Sequence, residues 1–437
     1  MAASVHDQAH LAGLFDSGEV ARLFSASAEV RALLVIEGSL AKVQGERGVI
    51  PDLSGAAIHR ASMEVQIDAG ALKDETALNG VSVPALVGLF REEMQAPEHA
   101  QFVHWGATSQ DIIDSALMLR LRQAVGLLRD DLDRVLRALV GMARDHAKTP
   151  IAARTYGQQA APTSFGAVVA AWGWPLLRAR QALGSLDFPV SLAGAVGTSS
   201  ALGAEPAKLR AALAKALNLS DPGYNWHTDR TPVLEIAAAC VALSTALAKF
   251  AEDLIAMVQS EVAELRIGGG ASSTMPQKQN PVGPSAMVAI ANLVQGLEAT
   301  LKGAAVHRFQ RDGAAWFTEW MVLPQIVSGA AASVRHAATL AENMEPDTKS
   351  MARKLEGDGL LFAETLTFAL TEKLPRPEAQ AKVKALVQEA RERGRPLSAL
   401  ARADFPHLPV TLFTAAATLG KAPDEARAFA KAVDTSL

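Results

Sequence analysis

Apolar residues recur at intervals of three and four positions along residues 111–146, a stretch that contains no proline and little glycine. This spacing places them on one face of a single long amphipathic helix. At 1.5 Å per residue the helix would extend about 54 Å, which is typical of an elongated helical bundle. The apolar positions are Leu117, Leu121, Val125, Leu128, Leu132, Val135, Leu139 and Met142.

Other apolar runs supply the neighbours that such a helix needs. Two of them, residues 233–265 and residues 285–305, begin directly behind a proline, which is favoured in the first helical turn. A third run, residues 165–186, contains Pro175 and predicts a kinked helix. A shorter helical pattern covers residues 20–48. We therefore expect several long helices packed side by side.

The distribution of helix breakers predicts three all-α domains. Proline and glycine become frequent after residue 343, so a small helical domain is expected over residues 346–437. The central long-helix bundle is placed at residues 111–345 and an N-terminal helical domain at residues 1–110. The sequence shows no internal repeat and no strand pattern of useful length.

Composition and charge narrow the function classes. Apolar residues make up 49% of the chain and charged residues 20%, as expected for packed helices. A net charge of −4 gives no basic field for nucleic acid or an acidic membrane surface. The sequence lacks a signal peptide and a clear membrane span, which predicts a cytoplasmic protein. Cys240 is the only cysteine, excludes an internal disulfide and is expected to be buried.

Residues 266–284 interrupt two helical runs with glycines, prolines, serines, a lysine and an asparagine. Three consecutive glycines, residues 268–270, permit hinge motion, while Pro276 and Pro281 stiffen the part that would close on a ligand. Lys278 adds a positive charge. This composition predicts an active-site lid, and a flexible interhelical linker is the alternative that composition alone leaves open.

Residues 272–281 are Ser-Ser-Thr-Met-Pro-Gln-Lys-Gln-Asn-Pro. They resemble the signature loop of the fumarase/aspartase superfamily, Gly-Ser-Ser-x-Met-Pro-x-Lys-x-Asn-Pro, with Ala271 in place of the glycine. The resemblance implies that Ser272 is the catalytic serine, or Ser273 if the loop geometry differs, and that Lys278 acts beside it. It also implies substrate contacts for Ser273, Met275 and Asn280.

Residues 104–111, His-Trp-Gly-Ala-Thr-Ser-Gln-Asp, resemble the superfamily's substrate-binding stretch His-x-Gly-x-Thr-Ser-x-Asp. The resemblance implies substrate contacts for His104, Thr108 and Ser109. Thr108, Ser109 or Asp111 equally suits the cap of the helix that begins here. The two roles are compatible, because the free N–H groups of a first helical turn can also hold a carboxylate.

Residues 153–163 resemble a third superfamily stretch, Gly-Arg-Thr-His-x-Gln-x-Ala-x-Pro-x-Thr, which implies substrate contacts for Arg154, Thr155, Tyr156 and Gln158. Tyr156 stands where the family has its general-acid histidine. Lyases that expel an amine, hydroxide or purine nitrogen need that proton. In 3-carboxy-cis,cis-muconate cycloisomerases the leaving group of the reverse elimination is a carboxylate, whose pKa of about 4 makes protonation unnecessary. Tyr156 therefore favours that branch.

Further stretches resemble the same branch in order and spacing up to about residue 324. They imply substrate contacts for Arg230, at the end of a Trp-His-Thr-Asp-Arg sequence, and for Arg311. Ion pairing is the alternative role of both arginines. Residues 79–84 lack the His-Asp pair that adenylosuccinate lyases place near there, which weakens that rival.

The resemblance implies a homotetramer whose active sites collect segments from three subunits. The expected partner is a small tricarboxylate substrate, 3-carboxy-cis,cis-muconate, lactonised through an enediolate-like intermediate with Ser272 moving the proton. No residue cluster has metal-ligand spacing and no nucleotide fingerprint is present, so we expect neither metal nor cofactor. Two alternatives stay open. One is another lyase of the superfamily, adenylosuccinate-lyase-like or acting on a substituted muconate; the other is a helical scaffold without activity.

Overall fold

A computed structural model describes residues 5, 8, 10–271, 275 and 278–437. Helices dominate this part of the chain, which confirms the predicted all-α class. The helices are α1 (Glu19–Leu23), α2 (Ala26–Glu46), α3 (Asp52–Glu64), α4 (Lys73–Asn79), α5 (Val83–Glu93), α6 (Pro97–Ala100), α7 (Ser109–Asp145), α8 (Phe165–Gly184), α9 (Pro206–Leu217), α10 (Thr231–Met257), α11 (Val282–Ala304), α12 (Gly313–Asn343), α13 (Thr348–Leu355), α14 (Ala363–Leu370), α15 (Arg376–Arg393), α16 (Leu397–Asp404) and α17 (Ala422–Ser436). The strands are β1 (Pro150–Thr155), β2 (Gln158–Ser164), β3 (Leu265–Arg266), β4 (Gly270–Ala271), β5 (Gln279–Asn280) and β6 (Glu345–Pro346).

The longest helix, α7, agrees with its predicted range to within two residues at each end. Its apolar stripe is buried as the three- and four-residue spacing requires, except that Met142 is only partly buried. The predicted run behind Pro284 is α11, and the run containing Pro175 is α8. Periodicity therefore located these helices correctly, but α12 (Gly313–Asn343), which spans 31 residues, was not predicted.

Two helical boundaries differ from the prediction. The run over residues 20–48 is divided into α1 and α2, because the Ser25 hydroxyl accepts a hydrogen bond from the N–H of Ala28 (3.2 Å) and so caps a new helix. Helix α10 ends at Met257 instead of continuing to residue 265. Apolar spacing alone could not reveal that the chain there turns into β3, which pairs with β6.

The antiparallel hairpin of β1 and β2 was not predicted, so the expectation of no useful strand was wrong. Its buried positions do not alternate, since Ile151 and Ala152 are both buried and adjacent in sequence. A register shift between Ala152 and Arg154 interrupts the pairing further. The period of two that marks a strand in a sequence is therefore missing here.

The described chain divides into two compact units, which we call unit 1 and unit 2. Unit 1 comprises Met1–Asp131, Ala179–Thr245 and Ala289–Arg335. Within it α2 and α3 pack closely at Gly55, where a Cβ atom would lie 2.5 Å from the carbonyl oxygen of Ala41. Its core includes Leu33, Ile36, Phe90, Ile113 and Trp316.

Unit 2 comprises Leu132–Arg178, Ala246–Val288 and His336–Leu437. A separate apolar cluster joins α14, α15 and α16 within it, and the rings of Trp174 and Phe429 pack 5.7 Å apart. The predicted division into three domains, at residues 110 and 345, stays a prediction. The cluster residues include Leu366, Val383, Leu397 and Leu400.

Among the described residues, α10 is the one helix long and apolar enough to cross a membrane. Half of its apolar stretch is buried inside the structure. Cys240 lies on this helix and is fully buried, as expected. Burial raises the pKa of its thiol to about 12, so the thiol stays protonated and unreactive.

Candidate active site

The start of α7 is held by one buried carboxylate, that of Asp111. Its Oδ2 accepts hydrogen bonds from the backbone N–H groups of Thr108 (3.0 Å) and Gly194 (2.9 Å). Its Oδ1 accepts one from the N–H of Ala193 (2.8 Å) and lies 2.8 Å from Nε2 of His227. The bond to Thr108 is the carboxylate half of a capping box. Asp111 therefore caps α7 and fixes a neighbouring loop against it.

Arg311 reaches the same helix start from the loop between α11 and α12. Its Nε donates to Oε1 of Gln110 (2.8 Å), and its Nη2 lies 3.3 Å from the Thr108 hydroxyl. The side chain remains exposed, and Ser109 beside it is partly exposed. A guanidinium, two hydroxyl side chains and the positive end of a long helix dipole thus converge in unit 1. This arrangement suits a carboxylate.

His104 belongs to the same cluster and is paired with a buried acid. Its Nδ1 lies 2.6 Å from Oε1 of Glu37, whose side chain is fully buried on α2. Burial by itself lowers the pKa of His104, but the charge and hydrogen bond of Glu37, helped by Asp111, outweigh it and raise that pKa. His104 is therefore held towards its positively charged form.

Arg230 belongs to a buried ion cluster of unit 1 that includes Asp114 of α7. Its guanidinium donates to both oxygens of Asp114 (2.8 and 3.0 Å) and to both oxygens of Glu319 (2.9 and 2.6 Å). It also stacks 4.9 Å from the ring of Trp226. Burial raises the pKa of Glu319 despite the attraction of Arg230. With 2% of its surface exposed, Arg230 presents no free face to a ligand in this arrangement.

In unit 2 the residues of the third motif lie on the β1–β2 hairpin. Arg154 forms two hydrogen bonds of 2.7 Å with the carboxylate of Glu264, whose side chain is fully buried. Such a planar, two-point pair fixes both side chains and anchors β1 to the segment that leads into β3. Arg154 itself keeps about a quarter of its side chain exposed. Part of the Arg154 side chain therefore remains accessible for the predicted contact with substrate.

Tyr156 occupies the tip of this hairpin. The strand pair closes at Thr155 and Gln158, leaving Tyr156 and Gly157 as the two loop residues, both with positive φ (51° and 73°). Two left-handed residues define the turn type that matches the twist of a hairpin, but Asn and Gly are preferred there and Tyr is strained. The Tyr156 side chain is fully exposed. The hairpin tip thus exposes an aromatic side chain, although the backbone conformation there is unfavourable for tyrosine.

The described part of the signature loop forms a second narrow hairpin, in which Gly270 pairs with Asn280. The N–H of Lys278 donates to the carbonyl of Met275 (3.0 Å). Lys278 and Met275 are exposed and Asn280 is partly exposed. Two predicted site residues, Ser272 and Ser273, lie outside the described residues.

A cavity of about 640 Å³ lies under this loop. Its lining includes Lys278, Asn280 and Arg266, and Arg266 pairs with Asp347 (3.5 Å). Most of the remaining lining residues come from the segment that follows α10, between residues 258 and 267, and from the signature loop itself. The volume suits a small organic acid, since ligand sites typically measure some hundreds of Å³. Among the described residues no group of three or more His, Cys, Asp or Glu side chains is arranged to hold a metal ion.

The sequence analysis missed Glu37 and the role of His227. A signal for Glu37 was present, because it falls four residues after Leu33 within the apolar stripe of α2 and so had to be buried. A buried acid requires a partner, and that partner is His104. No comparable signal marked His227, whose neighbour Asp111 is brought to it only by the fold.

Comparison with known proteins bears on the same segments. Residues 27–296 match the model of the lyase family. A 3-carboxy-cis,cis-muconate cycloisomerase of Bradyrhizobium diazoefficiens is 35% identical over 82% of each chain. One from Pseudomonas putida is 34% identical over 88% of this chain and 94% of the relative. A nitrosuccinate lyase of Streptomyces davaonensis is also 34% identical, over 89% of this chain and 87% of the relative.

A solved structure agrees over nearly the whole fold. The crystal structure of the 3-carboxy-cis,cis-muconate lactonizing enzyme from Pseudomonas putida superposes with a TM-score of 0.89 at 32% identity. The match covers 95% of this chain and 97% of that enzyme. Sequence relatives, family model and structure therefore agree, and the chain belongs to the lyase family of the fumarase/aspartase superfamily, as its motifs predicted.

Proposed function

We propose that the chain is a cycloisomerase that converts 3-carboxy-cis,cis-muconate into 4-carboxymuconolactone, a step in the breakdown of aromatic compounds in the cytoplasm. The observation that carries this proposal is Tyr156 at the position of the family's general-acid histidine. Its exposed place at the hairpin tip supplies a ring and a weakly acidic hydroxyl, not an imidazole. A reaction whose leaving group is a carboxylate tolerates that exchange.

In the proposed reaction a substrate carboxylate oxygen forms a bond to one carbon of a double bond. The π electrons move towards a second carboxylate, giving an enediolate-like intermediate, and Ser272 donates a proton to the adjacent carbon. Lys278 stabilises both the serine oxygen and the intermediate, because a fixed positive charge in a site that excludes water favours developing negative charge. One proton is taken up from solvent in each turnover. No metal or cofactor is required.

The remaining carboxylates are assigned to fixed positive groups. In unit 1 these are His104 and Arg311 with the hydroxyl groups of Thr108 and Ser109. In unit 2 we assign Arg154, Thr155, Gln158 and Asn280 to substrate contacts, with Ser273 and Met275 beside the catalytic serine. We assign Arg230 a supporting role instead of a substrate contact, because its buried ion cluster holds the start of α10.

We further propose a homotetramer in which three subunits contribute to each active site. Mixing two variants tests this, since Ser272→Ala and His104→Ala remove groups from different segments, and well below the raised KM of His104→Ala neither variant turns over substrate appreciably. Subunit exchange should restore about a quarter of the wild-type activity at random mixing if the two segments of one site come from different chains. No recovery after verified exchange would place both segments in the same subunit.

The experiment that tests the activity is an ultraviolet assay of diene absorbance with 3-carboxy-cis,cis-muconate. Wild-type protein should consume the substrate, and Ser272→Ala should not, while its circular dichroism and melting temperature match those of wild type. Adenylosuccinate is the parallel control. Cleavage of adenylosuccinate with no reaction of the muconate would overturn the proposal and show that Tyr156 does not exclude leaving groups that need a proton.

A second candidate is a lyase acting on a succinate that carries a stable anionic leaving group. The nitrosuccinate lyase relative, at 34% identity over 89% of this chain, favours it. Tyr156 is equally compatible with such a leaving group. Nitrosuccinate should therefore be assayed beside the muconate, and the ratio of the two kcat/KM values decides between the candidates.

A further inference from the structure

Glu37 is a buried carboxylate with one described partner. It lies on α2 with 1% of its surface exposed, and Oε1 is 2.6 Å from Nδ1 of His104. Its other oxygen, Oε2, is buried without a hydrogen bond from any described residue. An ionised carboxylate in such a place is costly unless its partner is positively charged. The pair therefore favours an imidazolium on His104.

The backbone holds the imidazole in a particular place. His104 has a φ of 64°, in the left-handed region that a residue with a side chain rarely adopts. Gln44, also on α2 and buried, donates from Nε2 to the carbonyl of the next residue, Trp105 (2.7 Å). Strain that is maintained by surrounding contacts is common where a side chain must be positioned for a ligand.

The second ring nitrogen of His104 remains available. Nε2 makes no hydrogen bond within the described residues and is not among their buried polar atoms, while a fifth of the side chain is exposed. The charged groups around the ring are Glu37 on α2, Asp111 on α7 and Arg91 on α5, of which only Arg91 opposes a positive charge. The exposed nitrogen lies in the same unit as the start of α7 and Arg311.

We propose that Glu37 is a positioning residue that keeps His104 as an imidazolium whose Nε2–H binds a carboxylate of the substrate. The inference deepens the proposed function and rests on it for the identity of the substrate. Glu37 touches no substrate and acts through His104. The arrangement, a buried acid on one ring nitrogen and a ligand on the other, fixes the tautomer and orientation of a histidine.

Glu37→Gln tests this because it preserves size and a hydrogen bond while removing the charge. We expect KM for 3-carboxy-cis,cis-muconate to rise about tenfold at pH 8, as for loss of one charge-assisted hydrogen bond, with kcat within about twofold. The rise of KM with pH should begin about one unit lower than in wild type. Glu37→Asp should recover part of the wild-type profile.

Gln44→Met is the matched control, since it removes a buried polar side chain of α2 that supports the same loop without a charge. It should lower the melting temperature and leave the pH at which KM rises unchanged. The role of Glu37 would be overturned if the pH dependence of KM were unchanged in Glu37→Gln. It would also be overturned if Gln44→Met shifted that pH dependence as far as Glu37→Gln does.

Calorimetry with propane-1,2,3-tricarboxylate separates this inference from the proposed function. Its dissociation constant should increase as the pH rises. This increase should begin at a lower pH in Glu37→Gln than in wild type. If the muconate is not turned over but this displacement is found, the function fails and the role of Glu37 stands. If the muconate is turned over and the tricarboxylate does not bind wild-type protein, or binds with the same pH dependence in both proteins, the role of Glu37 fails.

Discussion

The start of α7 in unit 1 and the signature loop with the β1–β2 hairpin in unit 2 are built differently. In unit 1 the charged groups have fixed partners, as Asp111 accepts three backbone hydrogen bonds and Arg230 is enclosed by two carboxylates. In unit 2 Lys278 and Tyr156 are exposed, and the described residues give the Lys278 ammonium no ion pair. Both regions carry superfamily motifs. Unit 2 also has one fixed pair, Arg154 with Glu264, but Lys278 of its signature loop and Tyr156 at its hairpin tip are exposed.

This difference indicates a division of labour. Groups that bind a polyanion work best when their positions are fixed before the ligand arrives, because the ordering cost is then already met by folding. Groups that move a proton need a dry site and must also admit substrate, which favours a loop that is completed only on closure. We therefore expect substitutions in unit 1 to affect stability and KM, and those in the unit 2 loop to affect kcat.

The largest expected effect is that of Lys278→Met. It should lower kcat by about a thousandfold, the loss seen when one preorganised group facing a developing negative charge is removed. The melting temperature should stay within about 1 °C of wild type, because surface substitutions away from specific contacts change stability little. Lys349→Met, at another exposed lysine of unit 2, should change neither quantity. A loss of stability in Lys278→Met comparable to its loss of activity would contradict the proposed division.

Asp111→Asn, unlike Lys278→Met, should lower the free energy of unfolding. Both carboxylate oxygens accept hydrogen bonds, so an amide nitrogen would face backbone N–H groups of Thr108 and Gly194, or of Ala193. Burying mismatched donors costs about 3 kcal/mol. Urea unfolding should show this loss, whereas Asp130→Asn, an exposed position of the same helix, should stay within about 0.5 kcal/mol of wild type. Equal stability of the two variants would show that unit 1 does not depend on the Asp111 contacts.

The features that could be predicted from the sequence are those set by neighbouring residues. Helix α7 was predicted to within two residues because its burial repeats every three to four positions over many turns. The signature loop was identified because its chemistry lies in consecutive residues, 272–281. Local pattern was sufficient in both cases, and the family and fold class followed.

Features that depend on distant residues were not predictable in this way. Glu37 and His104 are 67 positions apart, and His227 lies 116 positions from Asp111. Arg230 was expected at the substrate, but only the fold shows that Asp114 and Glu319 enclose it. The β1–β2 hairpin escaped because its buried residues do not alternate. Tertiary pairing, not local propensity, decides each of these.

The smallest change that we expect is a gain in stability at the tip of the β1–β2 hairpin. Tyr156→Asn places at a φ of 51° a residue that tolerates the left-handed region, in an Asn-Gly turn that hairpins favour. Unfolding free energy should rise by about 1 kcal/mol, because the fully exposed Tyr156 ring has no packing in the isolated chain to lose.

The control for this variant is Gln95→Asn, at another exposed residue of positive φ (48°) that lies outside the site. Both variants should become more stable, and only Tyr156→Asn should lose activity towards the muconate. Such a result would show that the hairpin tip accepts backbone strain in exchange for the Tyr156 side chain. If Tyr156→Asn were less stable than wild type at concentrations where the chain is oligomeric but not after dilution, the ring would instead pack against another subunit, and its exposure would end on assembly.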